Sequence, residues 1–85
     1  MNLEAGMLAK SKAGRDKERI YVIIRVEDEY VYVADGDFRP LRRMKRKNKK
    51  HLQPVTKVRL NGEPDDRAIR EMINKFTRQG ERYED

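Results

Sequence analysis

The chain has no cysteine, no tryptophan and a single histidine, His51. Without cysteine there can be no disulfide, no thiolate nucleophile and no cysteine-based zinc site. One histidine cannot make a histidine-rich metal site or a histidine pair for acid–base work. No apolar run approaches the roughly 18 residues of a membrane-spanning helix. The first ten residues hold no basic stretch leading into an apolar one, so a secretory signal is not expected and a cytoplasmic location is. No nucleophile stands beside a base, and so small a chain rarely encloses a desolvated pocket. Neither an enzymatic activity nor a cofactor is expected.

What remains is 85 residues and 10.2 kDa, enough for one small domain. Charged residues make up 42% of it, and the net charge is +6. Residues 1–60 carry a net +8, while residues 61–85 carry a net −2. Within 39–50, Arg39, Arg42, Arg43, Lys45, Arg46, Lys47, Lys49 and Lys50 stand without an intervening acid. Such a block repels itself unless an anionic partner lies beside it. A polyanion is therefore the expected partner. The same repulsion leads us to expect residues 42–50 to be mobile until bound.

Local patterning divides the chain into strands followed by a helix. Residues 7–12, 20–26 and 30–34 read as strands, and 20–26 lacks clean alternation, as expected where both faces are covered. Asp35-Gly36 reads as a tight turn. A short strand is expected near Phe38 to Arg42, then an interruption by the basic run. Leu52 to Val55 and Val58 to Leu60 read as two further strand pieces. From 65 to 79 the apolar spacing becomes helical, through Ala68, Ile69, Met72, Ile73 and Phe76. Asp65 or Asp66 can cap this helix, and Gly80 is placed to end it. The expected fold class is mainly β: a small barrel of four to five short strands with one C-terminal amphipathic α-helix. The barrel would occupy 1–62 with a basic insertion at 39–51, the helix 63–80 packed on it, and a frayed tail 81–85. Phe38 is expected to fill the barrel. Tyr21, Tyr30 and Tyr32 are strand residues among which the sequence does not choose an outward-facing one. The Asp35 and Asp37 carboxylates read as turn residues, not as a metal pair.

Residues 6–17, Gly-Met-Leu-Ala-Lys-Ser-Lys-Ala-Gly-Arg-Asp-Lys, resemble a KOW motif, the nucleic-acid-binding unit of an SH3-like barrel. Gly6 and Gly14 match the motif's two glycines, and Arg15, Asp16 and Lys17 its polar loop cluster. Glu18-Arg19 departs from it, standing where a glycine-rich return is common. Further on, Asp35-Gly36-Asp37, Arg39 and the run Lys47-Asn48-Lys49-Lys50-His51-Leu52 resemble small bacterial KOW-containing RNA-binding proteins. These are grouped with KOW-barrel proteins of the archaeal and eukaryotic large ribosomal subunit. The resemblance covers about residues 3–60 and implies a KOW-type SH3-like barrel that binds RNA in association with the ribosome or translation. The partners expected are RNA, ribosomal RNA foremost, and ribosomal proteins, with a monomeric chain and no membrane.

The RNA-contacting residues expected from charge and resemblance together are Lys12, Gly14, Arg15, Lys17, Arg39, Arg42, Arg43, Lys45, Arg46, Lys47, Lys49, Lys50 and His51. Arginines can fork onto phosphate and lysines act as mobile point charges. The segment holds no aromatic residue, so recognition of backbone and shape is expected over base readout. An alternative reading is a protein–protein adaptor of the transcription or translation machinery, docking through the C-terminal helix. Attachment to an anionic membrane would require the basic run to be helical, with Leu41, Met44 and Leu52 as its apolar stripe.

Overall fold

A computed structural model describes residues 3–84, with side chains to Arg78. Its strands are β1 (Met7–Ser11), β2 (Ile20–Val26), β3 (Tyr30–Ala34), β4 (Lys45–Asn48) and β5 (Leu52–Arg59), followed by α1 (Asp66–Glu84). Short 3-10 turns at Leu41–Arg43 and Lys49–His51 bracket β4. The strands form one sheet in the order β4-β3-β2-β1-β5, with every neighbouring pair antiparallel. The mainly β architecture with one C-terminal helix is as expected, but no ladder joins β4 to β5, so the strands form an open sheet.

That sheet is curled. β4 and β1 are three ladder steps apart, about 14 Å in a flat sheet, which is more than a lysine side chain reaches. Yet Lys47 Nζ on β4 lies 3.1 Å from Ser11 Oγ on β1. The face carrying both residues is therefore concave. Its apolar part is Met7, Ala9, Tyr21, Ile23, Val31, Val33 and Leu52, with Leu3 packed against it. A second apolar layer covers part of the outer face, over Val22 and Ile24, which accounts for the poor alternation of residues 20–26.

One extra residue on β2 decides what faces out. Ile23 pairs with Val33 but Arg25 with Tyr32, so Ile24 is inserted as a bulge. Without it the period of two would aim Arg25 into the concave core. With it, Ile24 joins the outer cluster and Arg25 lies beside Tyr32.

α1 packs on the outer face over a cross-strand row of Ala34, Val22, Leu8 and Val55. Ile69 is fully buried there, with Met72, Ile73 and Phe76 partly so. The stripe that an adaptor helix would offer a partner is thus turned onto the chain's own sheet. Asp65 is the cap, since its Oδ1 accepts from the Ala68 N–H at 2.8 Å. Asp66 Oδ1 instead accepts from the Leu41 N–H at 2.8 Å and ties the first 3-10 turn to the helix start. Asp65→Ala should lower stability by about 1 kcal/mol, measured as a shift of the urea midpoint at constant slope.

Several expectations are corrected. No strand forms at 38–42, because the Asp35 carboxylate accepts from the Asp37 and Arg39 N–H groups, each at 2.8 Å, and closes a turn. Phe38 points into solvent, 69% exposed, with the Arg19 guanidinium 4.9 Å from its ring centroid. The basic run, expected to be mobile over 42–50, instead supplies β4, laddered to β3. The two pieces 52–55 and 58–60 are a single strand with an irregularity: Leu8 pairs with Val55 and Met7 with Arg59. Pro54 is tolerated because β5 is an edge strand. α1 runs through Gly80 to Glu84, since a helical glycine costs only about 1 kcal/mol against alanine and its neighbours are good helix formers. The expected frayed tail 81–85 falls on that last turn and on Asp85, which lies outside the described residues. No helix among the described residues is long and apolar enough to cross a membrane. Leu41 and Met44 pack against the outer cluster and Leu52 against the concave one, so the apolar stripe of a membrane-bound helix does not exist.

Candidate nucleic-acid interface

β4 is built from Lys45, Arg46, Lys47 and Asn48, and the period of a strand sends them alternately to opposite faces. Lys45 and Lys47 pair with Val33 and Val31 and so point into the concave face. Arg46 and Asn48 point outward.

Lys47 is only 7% exposed, and all three of its ammonium protons find acceptors. Nζ lies 3.0 Å from Asp16 Oδ1, 3.1 Å from Ser11 Oγ and 3.3 Å from the Ala13 carbonyl oxygen. Lys45 Nζ donates to Asp16 Oδ2 at 3.1 Å, and the Tyr21 hydroxyl donates to the same oxygen at 2.7 Å. The Ser11 hydroxyl is within reach of both Asp16 Oδ1, at 3.0 Å, and the Ala13 carbonyl, at 3.1 Å. Burial pushes the Asp16 carboxyl up, but hydrogen bonds from Tyr21, Lys47, Lys45 and Ser11 outweigh it and hold the group well below the usual carboxylate range. The Tyr21 hydroxyl is pushed above its ordinary value by burial and by the Asp16 carboxylate it donates to. Among the described residues no buried side-chain nitrogen or oxygen lacks a partner.

This network removes Lys47 from the expected RNA-contacting set and commits Lys45 to an internal ion pair. Both belong to the fold, holding β4 to the β1–β2 loop across the concave face. Asp16, read as part of an outward loop cluster, is buried at their centre. An acid set between Arg15 and Lys17 in a basic loop was the one local sign of it.

The remaining basic residues fall into three groups. Arg39, Arg42 and Arg43 lie beside the start of α1, with Arg39 half-buried and Arg42 and Arg43 exposed. Arg46 points to the outer face, apart from the other basic residues of the run. Lys49, Lys50 and His51 form the second 3-10 turn, about 20 Å from Arg43 along the extended β4 path. The eight-charge run is therefore divided by geometry and presents no single face.

Tertiary structure supplies another grouping in its place. The Lys12 N–H donates to the His51 carbonyl at 2.8 Å, bringing the β1–β2 loop against the second 3-10 turn. Lys12, Gly14, Arg15, Lys17, Lys50 and His51 are all exposed along this edge, and Lys49 is half-buried. Among the described residues none of Lys12, Arg15, Lys49 and Lys50 forms an ion pair. The loop itself is tightly set. Gly14 has φ +89°, and the Lys17 N–H returns to its carbonyl at 3.2 Å. Glu18, where the motif commonly has glycine, holds φ 79°, a conformation a non-glycine residue rarely adopts. Its N–H donates to the Ser11 carbonyl at 2.8 Å, and its carboxylate pairs with Lys10 at 2.7 Å. The departure in sequence thus keeps the backbone a glycine would take.

Two of the three strand tyrosines face outward. Tyr21 is buried in the ion network, whereas Tyr30 and Tyr32 sit half-buried on the outer face. Arg25 and Arg46 lie over their rings. Arg25 was not among the expected contact residues, because only the bulge at Ile24 turns it outward.

Compared with models of known protein families, the chain matches none, and no curated protein matches it either.

Proposed function

We propose that this protein is a non-catalytic RNA-binding module of the KOW type, its open curled sheet a variant of the SH3-like barrel, acting in association with the ribosome or translation. The observation that carries the reading is the hydrogen bond between the Lys12 N–H and the His51 carbonyl. It joins two basic segments distant in sequence into one edge, where Lys12, Arg15, Lys49 and Lys50 form no ion pair with any described residue. Like charges gathered without acids raise the local potential and favour a polyanion. A tight glycine-bearing loop beside a lysine-rich turn suits phosphate contact. The resemblance of residues 6–17 and 35–52 to KOW-containing RNA-binding proteins favours RNA, and ribosomal RNA in particular, as that polyanion.

The test is a salt series of RNA affinities. Five phosphate contacts give a slope of log affinity against log salt near −3.5 for single strands, at about −0.7 per contact. Replacing Lys12, Arg15, Lys49 and Lys50 together by Ala should weaken binding at least tenfold and flatten the slope by about 3. Arg42→Ala with Arg43→Ala, at the other end of β4, should cost much less. Equal losses from the two sets, or an unchanged slope, would sink the assignment to the loop–turn edge.

A further inference from the structure

The outer face of the sheet has two halves. α1 covers the half built on Ala34, Val22, Leu8 and Val55. The other half carries Arg25 of β2, Tyr30 and Tyr32 of β3, and Arg46 and Asn48 of β4, none of which belongs to the cluster beneath α1. The Arg25 guanidinium carbon lies 4.3 Å from the Tyr32 ring centroid, and that of Arg46 lies 4.5 Å from Tyr30. Tyr32 is in register with both arginines and Tyr30 with Asn48. The arginines are exposed and the rings half-exposed.

Resting on the RNA-binding reading above, we infer that this half-face is a stacking platform for unpaired RNA nucleotides. Nucleobases stack on tyrosine rings and on guanidinium planes alike, and the positive charges that hold the bases also attract their phosphates. The spacing selects the substrate. Tyr30 and Tyr32 are alternate residues on one strand, about 6.7 Å apart. That is about twice the 3.4 Å step between nucleotides in one strand of a duplex. Two neighbouring bases can occupy both rings only when unstacked from each other, and only an unpaired strand allows that. Asn48 adds an amide: its Oδ1 is engaged by the Lys50 N–H at 2.9 Å, which leaves Nδ2 to donate to a base edge.

The platform is continuous with the phosphate-binding edge, because Asn48 leads straight into Lys49 and Lys50. Acidic residues 27–29 border it at the β2–β3 corner, where Glu27 pairs with Arg25 at 3.4 Å. The second 3-10 turn adjoins this corner, since the Lys49 N–H donates to the Glu29 carbonyl at 3.0 Å, and its lysines mark the phosphate path there. A stacked single strand would cross from Tyr32 to Tyr30 and place its backbone at the second 3-10 turn. The backbone-only recognition expected from the basic run becomes recognition of backbone and unpaired bases together.

The deciding experiment titrates the full chain with a single-stranded RNA of about eight nucleotides, within the usual range of such sites, and separately with a duplex, following tyrosine ring protons by NMR. The rings of Tyr30 and Tyr32 should shift with the single strand and not with the duplex, while Tyr21 stays still. Y30L/Y32L should lose at least tenfold in single-strand affinity with its salt slope unchanged and its duplex affinity intact. Y30F/Y32F should keep single-strand affinity. Should the leucine variant unfold, the ring shifts of the wild-type chain still decide. Static rings at saturating single-stranded RNA overturn the platform and leave RNA binding standing. Failure of the wild-type chain to bind either RNA overturns both. Ring shifts produced by polyglutamate and not by RNA assign the surface to an acidic protein and overturn the platform as well.

Discussion

Replacing Asp16 by Asn should destabilise the protein by about 3–5 kcal/mol, the usual cost of leaving a buried charge without its partner. Lys47 is the charge left behind. It is 7% exposed, with its Nζ held against β1 at Ser11. A domain of this size is stable by only about 4–13 kcal/mol, so the loss is a large fraction of the whole. Lys47→Met in the Asp16→Asn background should recover much of it, because an apolar group of similar volume needs no partner. Urea unfolding of the two variants and the parent measures both effects. A loss below about 1 kcal/mol for Asp16→Asn would mean that the network contributes little.

The same carboxylate gives the protein an acid limit. Asp16 is held below the ordinary range in the folded chain, mainly by its four hydrogen bonds acting against burial. The unfolded chain therefore takes up a proton at a pH where the folded chain does not. The stability this contributes is complete above pH of about 4 and is lost as pH falls below it. In Asp16→Asn that stretch of the pH–stability curve should flatten. Tyr21 acts at the other end of the scale. Its hydroxyl is raised by burial and by Asp16, so its contribution is present below pH of about 10 and declines above it.

Gly36→Ala should cost about 2–5 kcal/mol and act on the seat of α1. Gly36 has φ +78°, where an L-residue pays roughly 1–2 kcal/mol. A Cβ there would lie 2.3 Å from the Asp66 carbonyl oxygen, which is helix backbone and cannot swing aside, and overpacking of this kind costs about 1–3 kcal/mol more. Arg70 Nη1 also donates to the Gly36 carbonyl at 2.7 Å, so a displaced helix loses that bond too. Hydrogen exchange should show faster exchange in α1 and in the 3-10 turn at Leu41–Arg43, which is tied to the helix through Asp66. Unchanged exchange in both segments would contradict this account of how the helix is seated.

Much of the framework is legible residue by residue. Ile20 to Val26 and Tyr30 to Ala34 are β-branched and aromatic enough to be strands in almost any context, and the spacing of Ile69, Met72, Ile73 and Phe76 makes an amphipathic helix with an acid at its start. β4 could not be found that way. Lys45-Arg46-Lys47-Asn48 has no apolar alternation, and its inward positions are lysines whose burial depends on an acid 29 and 31 residues away. Phe38 looked like core because it is apolar, but the Asp35 carboxylate turns the chain there and leaves the ring outside under Arg19.

The composition by itself determined that the protein is basic and thiol-free, and that its positive charge is concentrated in residues 39–50. Only the tertiary structure decided which of those charges can meet a partner. Strand alternation sends two of them inward to Asp16, the two ends of β4 separate the others, and one inserted residue at Ile24 brings Arg25 to the face that Arg46 reaches. The direction of a side chain on a strand depends on its register with its neighbours, and register is set by pairing between segments distant in sequence.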